Sequence, residues 1–314
     1  MQLQSVIDIS VIVPVVERYD DVAELYGLYK KGLEDSGKSH EFIYVLDGDF
    51  EGVLEVLKRL IAEGEKIKVI KLARWFGEAT ALTVGMQHSS GNVILTLPAY
   101  QQVEASEIPR LVESLNGCDM VIARRWPRKD SFLNRIQAGA FHILLNPVSE
   151  FKFHDIGCGV RVFRKQVAQE VNIYGDQHRF LPILAQKYGF RILEVKALQS
   201  KKDTGQRVYS PGTYARRMLD IFSIFFLVKF TKKPLRFFGI LGSSLFAVGF
   251  LILLYLLFVR LFQGVGLADR PIVLVGTLLV VLGVQVFAIG LLAEIIIFTH
   301  AKDIKEYTID QIIN

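Results

Sequence analysis

The sequence predicts an α/β protein: a doubly wound, mostly parallel sheet, followed by interfacial amphipathic helices and two C-terminal transmembrane helices. Three observations predict it. Short apolar runs alternate with segments of helical period from the N-terminus to about residue 200. Two uncharged stretches, Phe237–Val259 and Pro271–Ala293, are each long enough to cross a hydrocarbon core of ~30 Å. A mean hydropathy of +0.33 beside 22% charged residues suits neither an ordinary soluble protein nor a pure membrane bundle, so the apolar excess must be concentrated.

The elements follow in order. Ser10–Val16 (SVIVPVV) has the continuous apolar pattern of a buried strand, and Val22–Leu33 has the 3.6-residue period of a helix. Glu41–Asp49 is a second strand ending in a turn, Val53–Ile61 a second helix and Ile67–Leu72 a third strand. Glu78–Gln87 is a third helix and Asn92–Leu97 a fourth strand. Such alternation implies βαβ units with right-handed crossovers and a ligand site beyond the carboxyl ends of the strands. Tyr214–Phe230 combines an arginine-rich start with many aromatics, and is expected to lie in the membrane plane or else to be a core helix of the soluble domain. Ser131–Asn146 is a second such segment. The expected organisation is a sheet domain over 1–210, an amphipathic juxtamembrane segment over 211–235, two transmembrane helices within 236–300 and a cytoplasmic tail over 301–314.

Charge orients the chain. Lys229, Lys232, Lys233 and Arg236 precede the first span, and Lys302 and Lys305 follow the second. The loop between them holds Arg260, Asp269 and Arg270, so the positive-inside rule places both aqueous parts in the cytoplasm. The first apolar run is short and reads as a strand, so no signal peptide is expected. Cys118 and Cys158 form no disulfide framework, which fits a reducing compartment. The net charge of +5 suits anionic lipid or phosphate-bearing ligands; neither a recognition helix nor a basic stripe points to nucleic acid.

Certain residues carry a resemblance. In order they are Pro14 in the first strand, Asp47-Gly48 after the second, KLARWFG, NVILTLPAYQQ, DMVIARRW, HDIGCGVRVF and the two spans. Together they resemble family-2 glycosyltransferases, and more closely the membrane enzymes that move a sugar from a nucleotide donor onto a polyprenyl phosphate. The resemblance implies a GT-A-like fold, nucleotide-sugar and polyprenyl-phosphate substrates, and a location in the bacterial inner membrane. A homo-oligomer or a membrane protein partner is also expected. Departure from a nucleoside diphosphate releases a di-anion, whose charge an Asp-x-Asp pair normally screens through a divalent cation.

Here that pair falls on Pro98-Ala99-Tyr100, so both carboxylates are gone and no metal or other cofactor is expected. The first strand of the family ends Pro-x-Tyr-Asn-Glu; here it reads Pro14-Val15-Val16-Glu17-Arg18. The family's Asp-Asp-Gly-Ser reads Leu46-Asp47-Gly48-Asp49, and Trp75 replaces an asparagine. Arg74, Gly77, Gln102, Arg125, Asp155, Gly157, Gly159, Arg161, Lys202, Gly205 and Tyr209 match the family, and Glu294 falls where it has a Gly-Glu pair. The implied catalytic residues are Asp155 and Arg161; the implied substrate-binding residues are Pro14, Asp47, Asp49, Gln102, Arg125, Lys202 and Arg207. Arg125, Arg161 and Lys202 are expected to share a cavity that holds a lipid phosphate, with Lys71 on a strand face and of little consequence for that binding.

Plainer readings stand beside these. Asp47 and Asp49 also fit a turn, the glycines tight backbone, and Arg125 and Arg161 structural pairing, the latter with Asp155. His142 and His154 lack a second ligand at metal spacing. Glu294 fits snorkelling or pairing with Lys302 as well as function. Two functions therefore remain open: an active transferase without the usual cation, or a non-catalytic scaffold or regulatory subunit that keeps the fold. A module that only binds a lipid phosphate is a third.

Overall fold

A computed structural model of the chain describes residues 7–127, 153–171, 173, 177–204, 219, 234–264, 266 and 270–300. The chain divides into two compact units, residues 1–225 with 307–314 and residues 226–306.

The first unit is built on a seven-stranded sheet in the order β3-β2-β1-β4-β6-β5-β7. Its strands are β1 (Ile9–Val15), β2 (His40–Leu46), β3 (Ile67–Lys71), β4 (Val93–Thr96), β5 (Met120–Arg125), β6 (Arg161–Arg164) and β7 (Ile192–Ala197). β1 is central, parallel to β2 from Ile9↔His40 to Val15↔Leu46 and to β4 from Ile9↔Val93 to Ile12↔Thr96. All seven of its residues are buried, as the unbroken apolar run requires of a strand covered on both faces. β6 runs antiparallel between β4 and β5, so the sheet is mixed but mostly parallel. Sequence periodicity does not reveal β6 because Arg161 and Arg164 end a four-residue strand and leave no apolar run.

The helices α1 (Val22–Glu34), α2 (Glu51–Ala62), α3 (Glu78–Gln87), α4 (Ile108–Glu113), α5 (Lys165–Glu170) and α6 (Leu181–Lys187) accompany it. α1 is capped by Asp21, whose carboxylate accepts from the Glu24 N–H at 2.8 Å. Its buried Leu25, Tyr29 and Leu33 pack in one core with Val11, Val13, Phe42 and Tyr44 of β1 and β2. β2 stops at Leu46, so Asp47 and Asp49 belong to a turn rather than to the strand. The carboxyl ends of β1 to β4 consequently deliver four loops to one edge, where open α/β sheets bind ligands.

The second unit is a pair of long helices, α7 (Pro234–Gln263) and α8 (Pro271–His300), each apolar and long enough to cross a membrane. They exceed the uncharged stretches of the sequence by several residues. Glycines set their spacing. A Cβ on Gly242 would stand 2.7 Å from the Gly283 carbonyl oxygen, and one on Gly249 would stand 2.7 Å from that of Gly276. These pairings run in opposite directions along the two helices, so the pair is an antiparallel hairpin with backbones in close approach. The Glu294 carboxylate accepts from the Leu235 N–H at 3.3 Å, at the start of α7. It therefore caps an unsatisfied helix N-terminus, a role neither snorkelling nor a lysine partner anticipates. The segments 131–146, 205–218 and 220–233, and with them Arg207, Gly205, Tyr209 and both amphipathic stretches save Leu219, lie outside the described residues, as does Lys302.

Candidate active site at the carboxyl ends of the strands

The edge is best built from β1 and β4. Pro14 is buried and in register with Val45 of β2. The Val15 carbonyl accepts from Asp47 on the β2 side, and the Ile12 carbonyl accepts from Leu97 on the β4 side. Alternation turns Pro14 to the β4 side, beyond the last register pair Ile12↔Thr96, where the missing proline donor is not needed. The two following loops are then laced together: the Asp20 N–H donates to the Ala99 carbonyl at 2.8 Å, and the Gln101 N–H to the Asp20 carboxylate at 2.9 Å.

Pro98, Ala99 and Tyr100 occupy the place of the family's carboxylate pair. Buried Tyr29 donates its hydroxyl to the Pro98 carbonyl at 3.0 Å, which fixes the loop from below. Gln102 is buried; its amide donates to the Tyr100 hydroxyl at 2.6 Å and its carbonyl accepts from the Gly159 N–H at 2.8 Å. A Cβ on Gly159 would lie 2.8 Å from Pro98 Cγ, so the glycine matching the family pattern is demanded here by a proline that the family lacks. Gly157 has no such demand, since its nearest neighbour would stand at 3.7 Å. Above this loop the Arg18 guanidinium lies over the Tyr100 ring, 4.2 Å from its centroid.

These residues do not fit a divalent cation. The Gln102 carbonyl is taken by Gly159, the Tyr100 hydroxyl by Gln102, and a guanidinium already stands on the ring. Nor do the nearby carboxylates converge: among the described residues none of the His, Cys, Asp and Glu side chains group in threes suitable for a metal. Asp49 is exposed and pairs with Lys71 at 3.5 Å. Lys71 also bonds Glu51, so its ammonium is held between the turn after β2 and the start of α2 rather than standing alone on a strand face.

Asp47 has a different task. Buried at 1% exposure, it accepts from the Phe76 N–H at 2.8 Å and the Gly77 N–H at 2.7 Å. Its two oxygens thus hold the RWFG turn against the end of β2. Gly77, with φ +100°, is the one residue of that turn in left-handed backbone, and it starts α3. Trp75 and Phe76 remain exposed, with the Arg74 guanidinium 5.1 Å from the Phe76 ring.

On the other side of β4 the charged residues are sequestered. Arg125 and Asp155 form a buried bidentate pair, Nε to Oδ2 at 2.7 Å and Nη2 to Oδ1 at 2.8 Å, and Asp203 accepts from Nη1 at 3.0 Å. Burial opposes charge on Arg125 more than any other single influence, but the Asp155 hydrogen bonds and the charges of both aspartates outweigh it and raise its pKa. Glu194 of β7 steadies the same loop by accepting from the His154 and Asp155 N–H groups at 2.8 and 3.0 Å.

Arg161 is buried too, but it does not pair with Asp155 through its side chain. It donates instead to the carbonyls of Cys158, His178, Ile156 and Arg179 at 3.2, 2.5, 3.2 and 3.3 Å. Burial depresses its pKa. Lys202 is half exposed and bonds Glu24 at 2.6 Å. Arg125 and Arg161 are therefore tied within the fold while Lys202 stands at the surface; whether the amphipathic segments complete a cavity around them concerns residues outside those described. Buried His178 contacts Glu78 at 3.1 Å through Nε2, and its Nδ1 has no hydrogen-bond partner among the described residues.

Sequence reasoning missed Arg18, Asp203 and Glu194. For Arg18 the signal was present, as a charge reversal at the end of β1 coinciding with the loss of the Asp-x-Asp pair.

Comparison with known proteins bears on the family and the fold. The profile described as glycosyl transferase family 2 matches residues 10–171, slightly over half of the chain. The chain is 29% identical over 303 residues to dodecaprenyl-phosphate galacturonate synthase of Rhizobium johnstonii, covering 95% of this chain and 90% of that protein. It is 28% identical over 310 residues to undecaprenyl-phosphate 4-deoxy-4-formamido-L-arabinose transferase of Edwardsiella ictaluri, covering 97% and 94% respectively. Among solved structures, mannosyl-3-phosphoglycerate synthase from Rubrobacter xylanophilus shares the fold, with a TM-score of 0.51 at 14% identity over 71% of this chain and 74% of that one.

Proposed function

The chain belongs to glycosyl transferase family 2, and from that membership we propose that it transfers a sugar from a nucleotide-sugar donor to a polyprenyl phosphate at the cytoplasmic face of the bacterial inner membrane, without a metal ion. One observation carries the substrate class: the similarity to two polyprenyl-phosphate sugar transferases runs through the sheet unit and both apolar helices, over 95% and 97% of the chain. In this reading the two apolar helices are a multi-pass membrane anchor, with both aqueous parts inside.

The chemistry asks little proton transfer of the protein. An oxygen of the acceptor phosphate, already anionic, attacks the anomeric carbon; the bond from that carbon to the donor diphosphate breaks, and the nucleoside diphosphate leaves with the electron pair. Stabilising the departing charge is the main task. In this reading Asp155 and Arg161 are positioning residues: Asp155 fixes Arg125, and Arg161 ties the 156–158 loop to the 178–179 segment. Asp47 positions the RWFG turn, Gln102 braces the loop after β4, and Lys202 and Arg207 are assigned to the acceptor phosphate. Asp49, exposed and paired with Lys71, is assigned to the donor side.

A second reading has an observation of its own. Pro98 and Tyr100 replace both carboxylates, and Asp47 is engaged by two backbone donors, which supports a non-catalytic scaffold or regulatory subunit of a membrane complex. Purified full-length protein incubated with undecaprenyl phosphate and a panel of UDP- and GDP-sugars, analysed by mass spectrometry of the lipid fraction, separates the two. The transferase reading expects one glycosyl-phospholipid product. Absence of product across the panel, from folded protein, supports the scaffold.

A further inference from the structure

We propose that Arg18 is the resident cation of the donor site: its guanidinium, seated on Tyr100, binds the diphosphate of the nucleotide donor in the place a carboxylate-held metal ion takes elsewhere in the family. The inference rests on the transferase reading and names the residue that makes it workable.

The argument starts from two substitutions in different strands. The family's pattern at the end of β1 closes with Glu, where this chain has Arg18; its pattern after β4 closes with Asp, where this chain has Tyr100. Two acids are thus replaced by a cation and an aromatic ring, and the fold puts them in contact, with 4.2 Å between guanidinium carbon and ring centroid. Such an approach is a favourable cation–π contact and holds the guanidinium over the ring. The ring is itself held from two sides, by Gln102 on its hydroxyl at 2.6 Å and by Tyr29 on its backbone carbonyl at 3.3 Å.

Arg18 also retains donors. A guanidinium offers five N–H groups. Among the described residues Arg18 uses one for the Lys202 carbonyl at 3.3 Å, and lies 3.9 Å from the Asp203 carboxylate, with 39% of its side chain exposed. Asp203 is bound more closely to Arg125 and to the Gln199 amide at 2.8 Å, so it orients Arg18 without neutralising it fully. Several other cations nearby are more fully engaged, while Arg74 lies over the Phe76 ring. Arg125 faces two aspartates, Arg161 four carbonyls, Lys202 Glu24, and Lys71 both Asp49 and Glu51. Arg18 combines exposure, spare donors and a position at the carboxyl ends of β1 and β4, where a planar fork suits two diphosphate oxygens.

The test is a calorimetric titration of full-length protein in detergent, in EDTA, with UDP and GDP and with the corresponding nucleosides uridine and guanosine. Wild type is expected to bind one diphosphate with the same affinity in EDTA as in Mn²⁺. Arg18→Gln should weaken that diphosphate at least tenfold, leave the nucleoside unchanged, and gain nothing from Mn²⁺. Tyr100→Leu should weaken it in the same direction, and Lys58→Gln, on the exposed face of α2 and paired with Glu55, should match wild type. Diphosphate binding by wild type with undiminished affinity in Arg18→Gln would overturn the role of Arg18 while leaving the transferase reading intact. Failure of wild type to bind either diphosphate would overturn both, and a requirement for Mn²⁺ would overturn the replacement of metal by arginine.

Discussion

Replacing Asp155 by Asn isolates the ion pair on which the loop between β5 and β6 depends. The wild-type carboxylate accepts three hydrogen bonds from Arg125: Nε at 2.7 Å, Nη2 at 2.8 Å and the backbone N–H at 3.1 Å. Both side chains are almost fully buried, at 3% and 1% exposure. Asn presents an N–H₂ where Arg125 needs an acceptor, and the guanidinium keeps its charge, leaving Asp203 as its neighbouring anion. Breaking one partner of a buried pair costs about 3–5 kcal/mol. In a domain of this size 1 kcal/mol shifts Tm by about 2–4 °C, so Asp155→Asn should lower it by about 6–20 °C. The assay is thermal unfolding of the full chain by tryptophan fluorescence, with Trp126 adjacent to Arg125 as reporter. A double-mutant cycle with Arg125→Met should show the two losses to be far from additive. A shift below about 2 °C for Asp155→Asn would refute the structural role and return Asp155 to the list of groups that act on substrate.

Three further outcomes follow from named contacts. Arg161→Lys keeps the charge but cannot reach four carbonyls, and should lower stability by about 2–4 kcal/mol in denaturant unfolding, as buried acceptors lose their donor. Gly159→Ala drives a Cβ to 2.8 Å from Pro98 Cγ and should cost about 1–3 kcal/mol, with Pro98→Ala in the same chain restoring much of the loss. Glu41 accepts from the Ser10 hydroxyl at 2.6 Å and the Ser90 N–H at 2.7 Å; burial alone would raise its pKa, but these bonds and Lys68 hold it below the ordinary carboxylate value. Because the folded pKa is the lower one, its stabilisation is present above the unfolded value and is lost as pH falls through the folded value. Glu41→Gln should accordingly flatten the acid side of the stability profile, and an unchanged acid slope would refute that assignment.

The sheet was legible where burial imposes a period. β1 through β4 and α1 through α3 are found within a few residues of their expected places, because unbroken apolar strands and 3.6-period helices follow directly from a sheet covered on both faces. β6 was not legible: it inserts antiparallel between β4 and β5, and pairing with distant strands outweighs a local sequence that begins and ends in arginine. In the site, the loss of the carboxylate pair could be read directly, but the partners of the surviving charges could not. Arg161 and Asp155 lie six residues apart, yet Arg161 serves main-chain carbonyls while Asp155 serves Arg125 from the end of β5. Glu294 shows the same limit, since its acceptor role depends on the N-terminus of α7, 59 residues away. The contact of Arg18 with Tyr100 likewise joins two loops that sequence order separates and the doubly wound topology brings to one edge.

The central claim, a family-2 transferase whose donor charge is met by arginine rather than by a metal ion, is tested most directly by the rate of glycosyl-phospholipid formation. Full-length protein, undecaprenyl phosphate and the nucleotide-sugar found to be accepted are compared in EDTA and after addition of Mn²⁺. The account predicts equal rates in both, and a fall of at least tenfold in Arg18→Gln that Mn²⁺ does not reverse. Activity abolished by EDTA and restored by Mn²⁺ in the wild type would contradict it.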